Sequence, residues 1–453
     1  MKENVKATEQ IAQFIANTTY EDIPRPVLDA TRTIILDGVA NVLGGSQQPV
    51  LEHIRHYVDR LGGRPDCTVA ASPLRTSAPL AAFANGAAMH VLDYEPQGIP
   101  TTHGTSTLLP GILALAEVNG ASGRAVVTAF AVGWEVQQRI ATAAQPAAES
   151  RPFHPPGIYG PPACAAGCAK LLGLAEDKVR MALGIGASRT GGLFANNGTM
   201  TKCTHLGNAG RMGVEAALLA ADGFTANDSI IEAPRGYVET LFGNDFDWDA
   251  LLDGLGARWN LQRGFNIKRY PAQIGMQWAT ECVATLREKN GIRAEDVEWL
   301  ELEVNSRRAA TSNPAPATGL AGKFSFEYCA AVALTQDHVG IDTFSDAIRF
   351  SAPVEATLKK IRLKPNPDIP TSTTATWVQA SAGLKDGRVL VERCDAYRGS
   401  ARNPIARDAH LVKVRDCMRR ALPEPAMERL IALVDGLEDL KDARVLARAL
   451  VGE

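Results

Sequence analysis

SAPLAAFANGAAMHVLDYE, residues 77–95, carries six Ala, one Gly and no charge before Asp93, with apolar residues recurring at helical spacing. Small side chains let helix backbones approach closely, so the stretch reads as a buried helix crossing others in a compact bundle. The same pattern returns at VLDATRTIILDGVANVLGG (27–45), TLLPGILALAEVNG (107–120), GRAVVTAFAVGWEVQQRIATAA (123–144) and NAGRMGVEAALLAADGF (208–224). The Gly-Gly that closes the first of these is a natural stop.

The texture changes after about Phe265. VEWLELEVNSRR (297–308) and TWVQASAGLKDGRVLVERCDAY (376–397) bring alternation and β-branched residues, which favour strands, and Asp386-Gly387 between two such runs predicts a hairpin. The prolines of RLKPNPDIPTSTT (362–374) predict a loop. Helical patterning returns at ARDAHLVKVRDCMRRAL (406–422) and AMERLIALVDGLEDL (426–440). The expected fold is therefore mainly α. A large all-α domain is built from both chain ends, residues 1–265 and 400–453, with a smaller α+β lid, residues 266–399, inserted between.

Length and composition fit that scheme. A chain of 453 residues is long for one domain, and 45% hydrophobic with 21% charged residues is ordinary for a globular protein. A formal net charge of −3 supplies no excess of Lys or Arg to neutralise phosphates, so neither nucleic acid nor an anionic membrane is an expected partner. The opening MKENVKATEQIAQF lacks the apolar core of a signal peptide, and no window of about 18 apolar residues suits a membrane span. The eight cysteines are dispersed, and the nearest pair, Cys164 and Cys168, has helix spacing without a metal-like partner pair; reduced, buried thiols in a cytoplasmic protein are expected.

Chemistry-bearing residues gather in a few loops. In HVLDYEPQGIPTTHG (90–104), Pro96, Gly98 and Pro100 break the chain, and Thr101, Thr102 and His103 precede a new helix whose free N–H groups suit an anion. A simple capped loop accounts for the same residues. RPFHPPGIYG (151–160) fixes His154 in a rigid turn, where an imidazole can serve proton transfer or merely structure. GTMTKCTHLGNAGRMG (198–213) sets Thr199, Thr201, Lys202 and His205 at a helix start, which suits a carboxylate or phosphate, although the GxxxxGK[ST] spacing is absent. Lys268 and Arg269 stand at the change of texture, either in a ligand cleft or as solvated linker cations. Tyr328 opens an apolar helix and by itself reads as a core aromatic with a bonded hydroxyl.

In their order along the chain, HVLDYE…THG, FHPPGIYG, GTMTKCTHLGNAGRMG, KRYPA, GKFSFEY and YRGSARNP resemble the MmgE/PrpD family, which includes 2-methylcitrate dehydratase, cis-aconitate decarboxylase and iminodisuccinate epimerase. The resemblance implies a large all-α domain with an α+β lid, a homodimer, an active site between the domains, and no metal or organic cofactor. Matched motif by motif, it implies catalytic residues Asp93, His103, His154, Lys202, Lys268 and Tyr328, with Gln97, Thr102, Thr199 and Gln273 binding substrate.

Departures from the family pattern bear on the reaction. Many relatives carry Asp-aromatic-Asp-Asp where this chain has Asp93-Tyr94-Glu95-Pro96, and Gln97 and Gln273 stand where relatives often have Thr and His. Glutamine exchanges no proton at neutral pH but can hold a carboxylate or hydroxyl. The implied chemistry is proton abstraction next to a carboxylate of a small di- or tricarboxylate. His103 and His154 would be base and acid on opposite faces of the substrate, Lys202 and Lys268 would bind carboxylates, and Asp93 would orient a histidine. A 2-methylcitrate dehydratase-like hydro-lyase is the leading expectation. An epimerase of a dicarboxylate and a catalytically silent polycarboxylate-binding dimer are the alternatives.

Overall fold

The computed structural model describes residues 5–145 and 153–453. The first four residues of the opening stretch and residues 151–152 of the His154 turn lie outside them. Contacts divide the chain into two compact units, one of Met1–Val91, Glu95–Phe265 and Cys417–Glu453, the other of Leu92–Tyr94 and Asn266–Asp416.

The first unit is a helix bundle. Ala78–Val91 packs against Arg25–Ser46, Gly104–Asn119 and Thr201–Ala221, and Pro155–Leu171 packs against Gly123–Ala143 and Thr201–Ala221. Small residues set the spacing: a Cβ on Gly207 would collide with the Phe83 carbonyl of the neighbouring helix, so the two backbones touch where the sequence is poorest in side-chain bulk. From the chain's end, Glu424–Asp435 and Arg444–Ala449 pack on Arg25–Ser46 and Gly104–Asn119. The unit is not purely helical, because β1 (Cys67–Thr68) pairs antiparallel with β2 (Arg75–Thr76).

The second unit carries a four-stranded sheet in the order β4-β3-β5-β6, from β3 (Val297–Asn305), β4 (Ile361–Asn366), β5 (Val378–Leu384) and β6 (Val389–Cys394). β3 runs parallel to β4 and antiparallel to β5, and β5 and β6 form the hairpin closed by Asp386-Gly387. Leu300, Leu302 and Val304 face a core with Trp278, Phe326 and Tyr397, while Glu301 and Glu303 pair outward with Arg362 and Lys364 of β4. The loop expected over 362–374 is partly wrong, since its first five residues belong to β4. Pro365 is tolerated because β4 is an edge strand with an unpaired side. The unit also runs on through Asp416, past the expected boundary at 399, and takes in most of the Arg407–Met418 helix; Lys413 of that helix donates to the Tyr94 carbonyl at 2.8 Å.

All eight cysteines are free and buried, and among the described residues no helix is long and apolar enough to cross a membrane.

Candidate active site

Within the first unit, four of the eight histidines gather in one place. His90 comes from the last turn of Ala78–Val91, His103 from the residue before Gly104–Asn119, His154 from the residue before Pro155–Leu171, and His205 from Thr201–Ala221. Ring centroids lie 4.6 Å apart for His90–His103, 6.4 Å for His103–His154 and 5.2 Å for His154–His205.

Local sequence explains each placement. The loop from Pro96 to His103 is clamped by the Gly123–Ala143 helix: Thr102 donates to Gln138 Oε1 at 2.9 Å, and Gln138 Nε2 donates to the Pro100 carbonyl at 2.8 Å. His154 is held by its backbone, whose N–H donates to the Gly192 carbonyl at 2.9 Å, and two prolines follow at the helix start, where no N–H is needed. Gly157 completes that turn because any side chain there would collide with the Gly191 carbonyl.

Glu95 is the hub. It is fully buried, and its Oε1 lies 2.5 Å from His90 Nδ1, 2.7 Å from His103 Nδ1 and 3.0 Å from Ser106 Oγ, while Oε2 has no hydrogen-bond partner among the described residues. Burial pushes its carboxyl up, but the two imidazoles outweigh that and hold it well below the usual carboxylate range. A carboxylate only accepts, so both Nδ1 atoms are the donors. The amide Nε2 of Gln97 lies over the His103 ring, 2.9 Å from its Nε2 and 3.4 Å from its Nδ1, and Gln97 Oε1 is buried with no hydrogen-bond partner among the described residues.

Burial pushes the His90 imidazole down to about 4, against the pull of Glu95 and with the Lys202 charge adding to the depression. Burial, then Lys202, also holds His154 and His205 below the usual histidine range. His154 Nδ1 and His205 Nδ1 lie 3.0 Å apart, so one proton sits between the two rings. His90, Glu95 and His103 offer ligand atoms within 4.8 Å of one another, the one such group among the described residues, but their 2.5 and 2.7 Å separations are those of hydrogen bonds.

The carboxylate that meets His90 and His103 is that of Glu95. Asp93, expected to orient a histidine, lies in the second unit with a left-handed backbone, φ +52°, where Lys268 Nζ donates to its carboxylate and, at 2.7 Å, to its main-chain carbonyl. His103 and His154, expected on opposite faces of a substrate, are neighbours with ring centroids 6.4 Å apart.

The remaining expected residues are dispersed. In the second unit the Tyr328 hydroxyl donates to the Thr343 carbonyl at 2.5 Å and its ring stacks edge-on against Phe344, so the core-aromatic reading describes it. Gln273 turns its Oε1 to the Gly275 N–H at 2.6 Å, ahead of the Met276–Asn290 helix. Thr199 is exposed and bonded to the Asn196 carbonyl at 2.9 Å, and Lys202 is half-buried beside the histidines whose charge it opposes.

Sequence reasoning set His205 at the helix start of Lys202 but did not count it, Glu95 or His90 among the site residues. Glu95 between two histidines in one turn was a visible signal, and His205 lies three residues from Lys202 on one helix face. It also overlooked the buried Lys323 and Lys413, which with Lys268 donate to three successive carbonyls of the second unit: Lys323 to Leu92 at 2.8 Å, Lys268 to Asp93 at 2.7 Å and Lys413 to Tyr94 at 2.8 Å.

Residues 9–249 match the MmgE/PrpD N-terminal domain and residues 270–439 the MmgE/PrpD C-terminal domain. The chain belongs to the MmgE/PrpD family. It is 30% identical to the cis-aconitate decarboxylase of Mus musculus, over 98% of this chain and 93% of that protein, and 30% identical to that of Homo sapiens, over 98% and 94%. A cis-aconitate decarboxylase of Aspergillus terreus is 27% identical over 75% of this chain and 74% of its own length.

Proposed function

We propose that this chain is a cofactor-independent lyase that removes a proton from carbon next to a carboxylate of a small di- or tricarboxylate, and that it acts as a hydro-lyase. The observation that carries this reading is His103. Glu95 takes its Nδ1–H, which leaves Nε2, on the side of the ring away from that carboxylate, as its proton-accepting nitrogen. His103 takes the proton, the C–H electrons form the new double bond, and the C–O bond breaks; the imidazolium formed at His103 gives that proton to the departing hydroxide, which leaves as water and restores the neutral ring, with neutral His154 hydrogen-bonding the leaving oxygen. Lys202, beside the histidines, binds a substrate carboxylate and opposes charge growing on it. Gln97 Oε1, buried without a partner, accepts from the substrate hydroxyl.

The neighbouring placement of His103 and His154 favours elimination over epimerisation, because inversion needs proton transfer at two faces. Decarboxylation is the second reading, and the names of the mammalian relatives favour it. Proton and carbon NMR of the purified protein with citrate-like, methylcitrate-like and aconitate-like acids tests the choice. A new vinylic signal without carbon dioxide supports the hydro-lyase; carbon dioxide release from an aconitate-like acid replaces it with the decarboxylase. We further propose a homodimer in solution, measured by light scattering.

A further inference from the structure

Three donors converge on one oxygen of Glu95, and two of them are imidazole nitrogens of the same type. We propose that Glu95 is the positioning residue of the histidine cluster: through Oε1 it fixes the Nδ1–H tautomer of both His90 and His103 and leaves Nε2 of His103 as the proton acceptor. The catalytic consequence rests on the lyase reading above, whereas the tautomer stands on geometry alone.

The contacts of Oε1 carry it. An ionised carboxylate has no hydrogen to give, so each Nδ1 at 2.5 or 2.7 Å must supply one. His90 then has a function besides packing. Its ring stands edge-on to His103, at 85° and 4.6 Å, and with Ser106 it holds the shared oxygen where His103 needs it. A carboxylate that sets the tautomer of a catalytic imidazole without itself taking a proton is a general device of acid–base sites.

The first test needs no substrate and no variant beyond one used for assignment. In nitrogen-15 NMR of histidine-labelled wild-type protein at neutral pH, with the His103 signals assigned by their loss in His103→Asn, Nδ1 should carry the proton and Nε2 should be bare. A proton on Nε2 of His103 overturns the proposal. Glu95→Leu, which has no accepting oxygen, should release His103 from this tautomer and lower kcat by roughly 100-fold or more with KM changed less than about threefold. Glu95→Asp should recover at least about a tenth of the wild-type rate. Unchanged tautomer and unchanged kcat in Glu95→Leu contradict the inference. The predicted tautomer in a protein that turns over none of the acids overturns the lyase reading and leaves the positioning intact.

Discussion

Lys268 holds Asp93 twice, by its carboxylate and, at 2.7 Å, by its own main-chain carbonyl. Both side chains are buried, and Asp93 occupies a left-handed conformation uncommon outside Gly, Asn and Asp. The lysine thus neutralises the acid and ties down the backbone turn that carries it.

Lys268→Met should destabilise the second unit by roughly 3–5 kcal/mol, because it leaves a buried carboxylate behind. Asp93→Asn with Lys268→Met should cost less than the sum of the two single changes. Urea denaturation of the four proteins measures this coupling; strict additivity would show that the pair is not a unit.

Acid should weaken the protein. His90 titrates at about 4 in the folded chain against 6.5 for a free imidazole, and His154 and His205 are depressed as well. Between those values the unfolded chain binds more protons, so stability is full above about pH 6.5 and falls as pH drops toward 4. Glu95, held ionised, adds a loss in the same direction below the ordinary carboxylate range. The drop from 6.5 to about 4 makes His90 alone worth on the order of 3 kcal/mol. Melting temperatures from pH 7 to 4 should fall monotonically, and His154→Gln should fall less steeply.

Gln97→Leu removes the amide that faces His103 and the unpartnered oxygen assigned to the substrate hydroxyl. KM should rise roughly tenfold, about the worth of one buried hydrogen bond, for a hydroxylated acid and change little for its dehydrated product. Equal losses for both acids would remove Gln97 from recognition of the hydroxyl.

Tyr328→Phe deletes one buried hydrogen bond, to the Thr343 carbonyl, inside the second unit's core. It should cost about 1–3 kcal/mol of stability, chiefly by leaving that carbonyl unsatisfied, and leave kcat within about twofold. A rate loss of 100-fold with unchanged melting would return Tyr328 to the catalytic residues the family resemblance implied.

The helices of the bundle were legible because Ala and Gly repeat at helical spacing over long stretches, and the β5–β6 hairpin because Asp386-Gly387 is a local turn signal. β4 was not, since a proline that excludes a central strand is harmless on an edge strand, and edge or centre is a tertiary property. The site divides the same way. His103 and His154 were readable as residues fixed ahead of helices by prolines and threonines. Which acid serves them was not: Asp93 and Glu95 are two residues apart, and a left-handed residue between helix and loop sends one to Lys268 and the other to the histidines. Local sequence carries both carboxylates but no sign of where the backbone turns. Tyr328 shows the reverse case, where composition alone gave the core role the structure displays.

The most direct test of the central claim, proton transfer at carbon by His103, is hydrogen exchange in D₂O. Purified protein incubated with hydroxylated tricarboxylates and their dehydrated products should place deuterium at the carbon next to a carboxylate. His103→Ala should abolish this by at least about 100-fold while still melting cooperatively. Exchange that survives in His103→Ala, or turnover of an acid with no deuterium reaching carbon, would contradict the account.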